Sequence, residues 1–587
     1  MRMEKGGTYM NPKKKPVYKS KDSKTGAATI QMLTTEFGEN LPDVPWNVYP
    51  RPQLRRKDWL CLNGDWELKY TAEGNPCRCT VKVPFCPESL LSGVSVIPPY
   101  GSEMEYSRVF TILDSWKEKR VILHFGAVSR IAVIKINGRI VGRNEESYLP
   151  FSIDITDSIR QGENVLSVSV VNDISHAHQW GKQKVDRGGM WYTPVSGIWQ
   201  TVWIEPVPEK YIESTDIRTG MDFAEIYVSG IEEGTVLLEG REFPLSDGKV
   251  RIPVENPVLW SPDNPHLYEF SLKCGDDEAV SYFALRTISI EDINGCQRMC
   301  LNGKPYFFNG LLDQGYWSDG LYTPASPECY ASDILTAKSF GFNTLRKHIK
   351  IEPEQFYYDC DRLGMIVFQD MVNCGEYSFI RDTALPTAGI LSLNDKRLNT
   401  DQETRENFIR CMEKTVKCLG NHPSICYWTI FNEGWGQFCA DEMYDMLKKI
   451  DNTRLVDSTS GWFRRKKSDV ESLHIYFKPL HLGKSGKAQI ISEFGGYSYK
   501  LPEHSFNLSQ TYGYRKYNDG ESYAEAMRKL YENVLRLVDK GLCGAICTQL
   551  SDVEDETNGL LTYDRKEKKL SDGALKDIFE KFQELIS

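Results

Sequence analysis

The stretch Tyr427–Phe438 reads YWTIFNEGWGQF. Its first five residues are aromatic or β-branched and suit a strand buried on both faces, as in a parallel sheet. The run then ends in Asn432 and Glu433, followed by Gly434, Trp435 and Gly436. One glutamate at a strand end is accounted for by a solvated turn. A second one in the same setting calls for another explanation, and AQIISEFGG supplies it: a buried strand, then Glu493, then Gly495-Gly496.

Working outward, the chain from about residue 291 alternates strand-like and helix-like segments. The strands read YFFNGLL, FNTLRKHI, MIVFQDM, ICYWTIFN, RLVDST, SLHIYF, AQIISEF and GAICTQL. Between them lie amphipathic stretches such as ECYASDILTAKSF, PEQFYYDCDRL, ETRENFIRCMEKTVKCL and AEAMRKLYENVLRLVD. Eight strands interleaved with helices predict a (β/α)8 TIM barrel over 291–587. A doubly wound open sheet is the alternative, but no glycine-rich phosphate turn follows the first strand. In a barrel the chemistry sits where strands run into βα loops. The residues at those ends are Asp313, Arg346, His348, Asp370, Asn432, Glu433, Asp457, His474, Tyr476, Glu493 and Gln549.

Glu433 and Glu493 fall on the fourth and seventh strands, facing one another across the mouth. Two facing carboxylates suit acetal cleavage, where one stabilises or attacks C1 of an oxocarbenium-like sugar and the other protonates the leaving oxygen. Burial and a negative neighbour keep one of the two protonated. Glu433 is therefore expected to be the acid/base and Glu493 the nucleophile, with Tyr476 hydrogen-bonded to Glu493 and the amide of Asn432 holding a sugar hydroxyl. His474, Asp313, Arg346, His348, Trp435 and Gln549 complete the expected substrate-binding set. A covalent intermediate predicts retention and carboxyl groups about 5–5.5 Å apart.

Upstream, KRVILHFGAVSRIAVIKINGRIVG carries an Asn137-Gly138 hairpin signal, and ENVLSVSVVN and IWQTVWIEPV continue the short alternating pattern. Residues 44–208 are thus expected to form a jelly-roll β-sandwich, and 209–290 a small immunoglobulin-like sandwich. Residues 1–43, rich in Lys, Ser and Gly, are expected to be a mobile basic extension. The net charge of −10 argues against nucleic acid or an anionic membrane as partner. No stretch of about 20 apolar residues occurs, and the opening MRMEKGGTYM has no apolar segment, so a soluble, cytoplasmic protein is expected. The 16 scattered cysteines read as reduced thiols. His176-Ala-His178 and Cys77-Arg-Cys79 stand without further ligands at metal spacing, so neither metal nor cofactor is expected.

The chain resembles glycoside hydrolase family 2, the group of β-galactosidases, β-glucuronidases and β-mannosidases. The resemblance covers about residues 45 to 587 and is carried, in order, by YPRPQ, LNGDWEL, GMWYTPVSGIWQTVWIEPV, NPVLWSPDNPHLY, YFALRTISI, NHPSICYWTIFNEGWGQ, ISEFGG and DVEDETNGLLTYDRK. It implies a sugar-binding-like jelly roll, an immunoglobulin-like sandwich and a catalytic barrel, with the acid/base on Glu433 and the nucleophile on Glu493. A retaining exo-β-glycosidase is then the expected function, β-galactosidase-like as the first expectation, with a β-hexuronidase or β-mannosidase as the alternative. Relatives of this kind often form homo-oligomers. A catalytically inactive carbohydrate-binding protein is the alternative of another class, and two mutually repelling carboxylates argue against it.

Some positions depart from the family. Arg187-Gly188-Gly189-Met190-Trp191 lacks the acidic residue that β-galactosidases place before Met-Trp, and Glu556-Thr557-Asn558 lacks the lysine of the β-glucuronidase Asn-x-Lys. A uronate would need its cation from elsewhere, with Lys347, Lys350 and Lys478 as candidates. Arg346-x-His348 is one residue shorter than the usual Arg-x-x-His, although alternation along a strand still sets both on one face. Trp317, Trp435 and Trp462 are candidates to stack on the sugar, whereas Trp428 is expected in the core.

Overall fold

A computed structural model describes residues 29–586 apart from 73 and 174. The expectation of a mobile basic extension falls outside the described residues as far as residue 28. Over 29–43 it is corrected. Thr35 donates from both its backbone N and its Oγ1 to Asp319 Oδ2 (2.7 and 2.6 Å), and Leu33 is buried. A polar average over the whole segment hid these two anchors.

Two antiparallel sheets face each other in the first block. One runs Leu60–Cys61, Val202–Val207, Arg120–Phe125, Phe151–Asp154, and the other Asn75–Val83, Gly64–Ala72, Glu103–Ile112, Gly162–Val171, Ile131–Ile136, Arg139–Asn144. Alternate side chains of both meet in one core that includes Trp66, Tyr106, Phe125, Ile134, Val168 and Ile204. The Asn137-Gly138 turn has φ of 50° and 82° at its two central residues, the left-handed pair that a tight hairpin requires. A second, smaller sandwich pairs Ser214–Thr219, Phe223–Ser229 and Lys249–Pro253 with Arg241–Leu245, Gly234–Leu238, Tyr268–Cys274 and Asp277–Phe283. The run expected as one strand, VSYFALRTISI, is split: its end joins Ile288–Ile293, which pairs with Cys296–Leu301. Met299 and Leu301 of that hairpin plug the bottom of the barrel, packing with Phe308, Ile366 and Ile490.

The barrel strands are β1 (Phe308–Asp313), β2 (Thr344–Lys347), β3 (Ile366–Asp370), β4 (Ile425–Asn432), β5 (Leu455–Ser460), β6 (Val470–Ile475), β7 (Ala488–Gly495) and β8 (Leu542–Thr548). They form one parallel sheet in the order β5-β4-β3-β2-β1-β8-β7-β6. Side-chain contacts span the seam, where Ser472 Oγ accepts from Gly461 N at 3.3 Å. Outside lie α1 (Glu328–Phe340), α2 (Glu354–Leu363), α3 (Gln402–Leu419), α4 (Ala440–Ile450), α5 (Gly520–Val538) and α6 (Lys576–Ile586). Their starts follow ordinary capping chemistry: Asp401 accepts from Thr404 N and Asp519 from Ser522 N, each at 2.8 Å. No helix among the described residues is long and apolar enough to cross a membrane.

Buried charge ties the blocks together. Arg56 spans the two sandwiches, bonding Glu205 at 3.1 Å, Asp277 at 2.8 Å and the Ile212 carbonyl at 2.6 Å. Asp361, from α2, accepts from Tyr282 of the second sandwich at 2.7 Å and contacts His422 at 2.7 Å. Arg56→Met leaves the buried Asp277 without its cation, while Glu205 keeps Arg51, and is expected to lower stability by about 3–5 kcal/mol, read as a fall in the thermal midpoint. Arg78→Met, at an exposed pair with Glu67, should leave the midpoint where it is.

Candidate active site

The glycines behind β4 follow from packing. Glu433 itself has φ of 51°, and Gly434 and Gly436 have 75° and 67°. A Cβ on Gly434 would sit 2.2 Å from the Phe463 ring, and one on Gly436 would sit 2.0 Å from the Cys374 carbonyl oxygen. The chain thus turns sharply through a left-handed backbone against its neighbours, and the turn presents Glu433 at the barrel mouth. The non-glycine residue held in that conformation is the carboxylate.

Glu493, at the end of β7, meets Glu433 through His474 of β6. His474 Nδ1 lies 2.7 Å from Glu433 Oε1 and 3.6 Å from Glu493 Oε2. One oxygen of each glutamate and a ring nitrogen of His474 all lie within 4.8 Å of one another. This trio is also the set of described residues that could together hold a metal ion. The two carboxylates have different surroundings. Glu493 accepts from Tyr476 Oη at 2.5 Å and from Arg346 Nη1 at 3.0 Å. Burial alone would raise its pKa, but the charges of His474 and Arg346 and the Tyr476 hydrogen bond pull it down to about 2. Glu433 is raised, by burial first and by the charge of Glu493 in addition, against the opposing hydrogen bond of His474. One carboxyl is held bare, and its neighbour is shifted toward keeping its proton.

Arg346 organises the floor of the site. Its guanidinium reaches Asp370 Oδ1 at 3.0 Å, Asn432 Oδ1 at 2.9 Å, the Ser492 carbonyl at 3.0 Å and Glu493. With Oδ1 engaged, the buried Nδ2 of Asn432 has no partner among the described residues. His348 Nδ1 sits 2.9 Å from Asp370 Oδ2, and burial pushes the imidazole down to about 4, so it is neutral. Nδ1 then donates to the carboxylate and Nε2 is the acceptor end. Despite the shortened Arg-x-His spacing, both residues share Asp370.

Trp435 packs against Trp191 (centroids 5.3 Å) and Tyr377 (5.7 Å), part of an aromatic wall completed by Trp180. Trp462 stands 6.2 Å from the His474 ring. Other expected residues are engaged elsewhere. Asp313 takes Lys347 at 2.5 Å and Gly315 N at 2.8 Å and bonds neither glutamate. Gln549 is held by Glu556, Asn558 and Gln314, each at 2.8 Å, which places it in the rim network. Trp317 lies under Arg565, 4.1 Å from its ring, beside Tyr330. Trp428 is in the core, bonded to Asp451 at 2.8 Å. Sequence reasoning missed Trp191, Tyr192 and Lys182 of the first sandwich. Their signal lay in GKQKVDRGGMWYTP, an aromatic and cationic loop with no strand end to single it out.

Family models match in three consecutive blocks: "Glycosyl hydrolases family 2, sugar binding domain" over 40–208, "Glycosyl hydrolases family 2" over 220–286, and "Glycosyl hydrolases family 2, TIM barrel domain" over 292–488. Among curated relatives, a β-galactosidase of Lactococcus lactis subsp. lactis is 25% identical over 452 residues, covering 72% of this chain and 41% of the relative. Another, from Priestia megaterium, is 25% identical over 488 residues, covering 76% and 44%. The chain thus spans less than half the length of these relatives. Among solved structures, a β-D-glucuronidase of Dictyoglomus thermophilum superposes with a TM-score of 0.70 at 19% identity, covering 91% of this chain and 98% of that one. A β-galacturonidase of Eisenbergiella tayi bound to galacturonate superposes at 0.67 and 19%, covering 92% and 99%. At such identity the superpositions speak for the fold.

Gly436→Ala combines a left-handed φ that is costly for alanine with a backbone clash and is expected to cost about 2–5 kcal/mol, measured by thermal unfolding. Gly483→Ala, where an added Cβ meets nothing within 4 Å, serves as the unmoved control.

Proposed function

The chain belongs to glycosyl hydrolase family 2, and from that membership and the carboxylate pair we propose that it is a retaining exo-β-glycosidase. The observation that carries this reading is the close approach of two glutamates in unlike surroundings, oxygens within 4.8 Å. That spacing suits direct attack through a covalent glycosyl-enzyme; an inverting enzyme, which lodges a water between its carboxyls, needs about 6.5–9.5 Å.

Glu493, bare and aligned by Arg346 and Tyr476, attacks C1 from one side of the ring. Glu433, protonated, gives its proton to the departing oxygen. Forming the ester removes the charge of Glu493, and with it one of the two influences that raise Glu433. Glu433 then holds its proton less tightly and acts as base toward the incoming water. The single pair thus changes roles between steps through its own electrostatics. His474 bridges both carboxyls, and the free Nδ2 of Asn432 suits the 2-hydroxyl, where a hydrogen bond strengthens as positive charge grows on the ring. Trp435 and Trp462 offer apolar faces to the sugar.

The first block reads as a jelly roll whose loop completes the barrel mouth, and the second as an immunoglobulin-like sandwich packed at the other end, where Arg286 bonds the Pro423 and Ile425 carbonyls at the start of β4. The cysteines are free thiols, which supports a reducing, cytoplasmic setting.

Glu493→Gln is expected to abolish turnover of aryl β-glycosides. Glu433→Gln should still form the glycosyl-enzyme from substrates with good leaving groups and then stall; equal residual activity in both variants contradicts the assignment. The kcat/KM–pH profile should have an acid limb at very low pH, because Glu493 titrates near 2. Its alkaline limb should lie above the ordinary carboxylate range, because Glu433 must stay protonated. Glu433→Gln should remove that alkaline limb for activated substrates. Undiminished activity in excess chelator is expected, since the trio that could bind a metal is occupied with the reaction itself.

A further inference from the structure

Four lysines are buried among the described residues: Lys182, Lys347, Lys350 and Lys569. Three are matched to carboxylates. Lys347 binds Asp313 and Glu352, Lys350 binds Glu352 at 2.8 Å, and Lys569 binds Asp552 at 2.6 Å. The Lys182 carbonyl accepts from Tyr192 N at 3.0 Å, but its ammonium has neither hydrogen bond nor ion pair among the described residues, although the residue is only 7% exposed. Its Nζ rests between aromatic faces, 5.4 Å from the Tyr192 ring centroid and 5.9 Å from that of Trp435. A buried, unmatched ammonium is a costly feature in a folded chain.

Its position is fixed from both sides. Trp180 N bonds the Asn373 carbonyl at 3.2 Å and Trp180 Nε1 the Gly375 carbonyl at 3.1 Å, pinning this loop of the first sandwich to the barrel. Beyond it, Gln183 accepts from Val195 N at 2.6 Å and donates to Tyr148 at 2.8 Å. Its approach to the Trp435 ring, which is carried on the same turn as Glu433, sets it beside the glutamate pair, and its charge lowers the pKa of both Glu433 and Glu556. Lys184, two residues on, is half-buried over Trp191 and Tyr377 (3.9 and 5.1 Å). The deeper of the two cations is the one beside the residues that would surround the sugar. Lys347 and Lys350, the cations expected from sequence, are held by Asp313 and Glu352; Lys478 is exposed.

We propose that Lys182 anchors a carboxylate on the terminal sugar, so that the preferred substrate is a β-hexuronide. This rests on reading the pocket as a glycosidase site. A carboxylate carries one charge, which one lysine can match; a sugar phosphate would bring nearly two into a pocket already holding Glu433, Glu493 and Glu556, with no second buried lysine free of an ion pair among the described residues. The lysine hydrogens also suit carboxylate oxygens better than they suit neutral hydroxyls.

The test uses the full chain with nitrophenyl β-glucuronide, β-galacturonide, the matched β-glucoside and β-galactoside, and a 6-phospho-β-glycoside. One uronide is expected to exceed its neutral counterpart in kcat/KM by roughly 100-fold. Lys182→Met should collapse that ratio by about 100-fold, Lys182→Arg should keep part of it, and Lys478→Met should leave it alone. Equal turnover of neutral and uronic substrates, preference for the phosphosugar, or a Lys182→Met effect shared by charged and neutral substrates overturns the proposal while sparing the glycosidase reading. If no β-glycoside is cleaved, the glycosidase reading fails. The anion site is then decided by calorimetric titration of the Glu493→Gln chain with free glucuronate and galacturonate against glucose and galactose. Binding of a uronate that Lys182→Met removes supports the site, and no uronate binding overturns it. The substrate panel on the unaltered chain needs no variant to fold.

Discussion

Everything in the pocket hangs from the guanidinium of Arg346. A fully buried arginine is tolerable only when every face of it meets an acceptor, and here four acceptors converge from β3, β4 and β7. The arrangement holds Glu493 anionic, turns the Asn432 amide so that its NH2 faces away, and fixes Asp370, which in turn orients His348. Planar geometry makes this possible, because one rigid fork aligns side chains from separate strands. A lysine at that place could neutralise Glu493 but could not set three neighbours in register.

The remaining geometry comes from how loops approach that hub. Glu433 reaches it only because the chain behind β4 folds back in a left-handed path against Phe463 and Cys374. Trp435, carried on the same turn, then meets Trp191 of the first sandwich. The sandwich loop is therefore part of the pocket wall. Trp180 of that loop is bonded to the barrel through its backbone N at Asn373 and through its indole N–H at Gly375.

What could be read in the sequence followed local rules. Buried strands alternating with amphipathic helices have a clear period, and the two glutamates stand at strand ends with glycines behind them, so barrel and carboxylate pair were both legible. Tyr476 was placed beside Glu493 by the same logic, and the contact is present at 2.5 Å. The errors share one cause: a strand-end position says where a residue starts, not which partner claims it. Asp313 was expected at the sugar, but Lys347 lies next to it across the sheet register and takes it. Lys350 looked like a free cation, but Glu352, two residues away, captures it. Lys182 gave no such signal, since its role depends on a loop from another sandwich arriving at the mouth.

The unequal titration of Glu433 and Glu493 shows how little chemistry needs to differ between two identical side chains. Glu493 is buried and Glu433 nearly so, both approach His474, and each feels the other. The difference is that Glu493 has Arg346 and Tyr476 as well, while the Glu433 carboxylate is bonded by His474. Where positive charge is scarce, the group nearer to it ionises and its ionisation suppresses that of its neighbour. The same scarcity gives the loose ammonium of Lys182 its weight. Arg346 is fully engaged, and among the described residues the buried lysine without an ion pair is Lys182, on the loop that the first sandwich delivers.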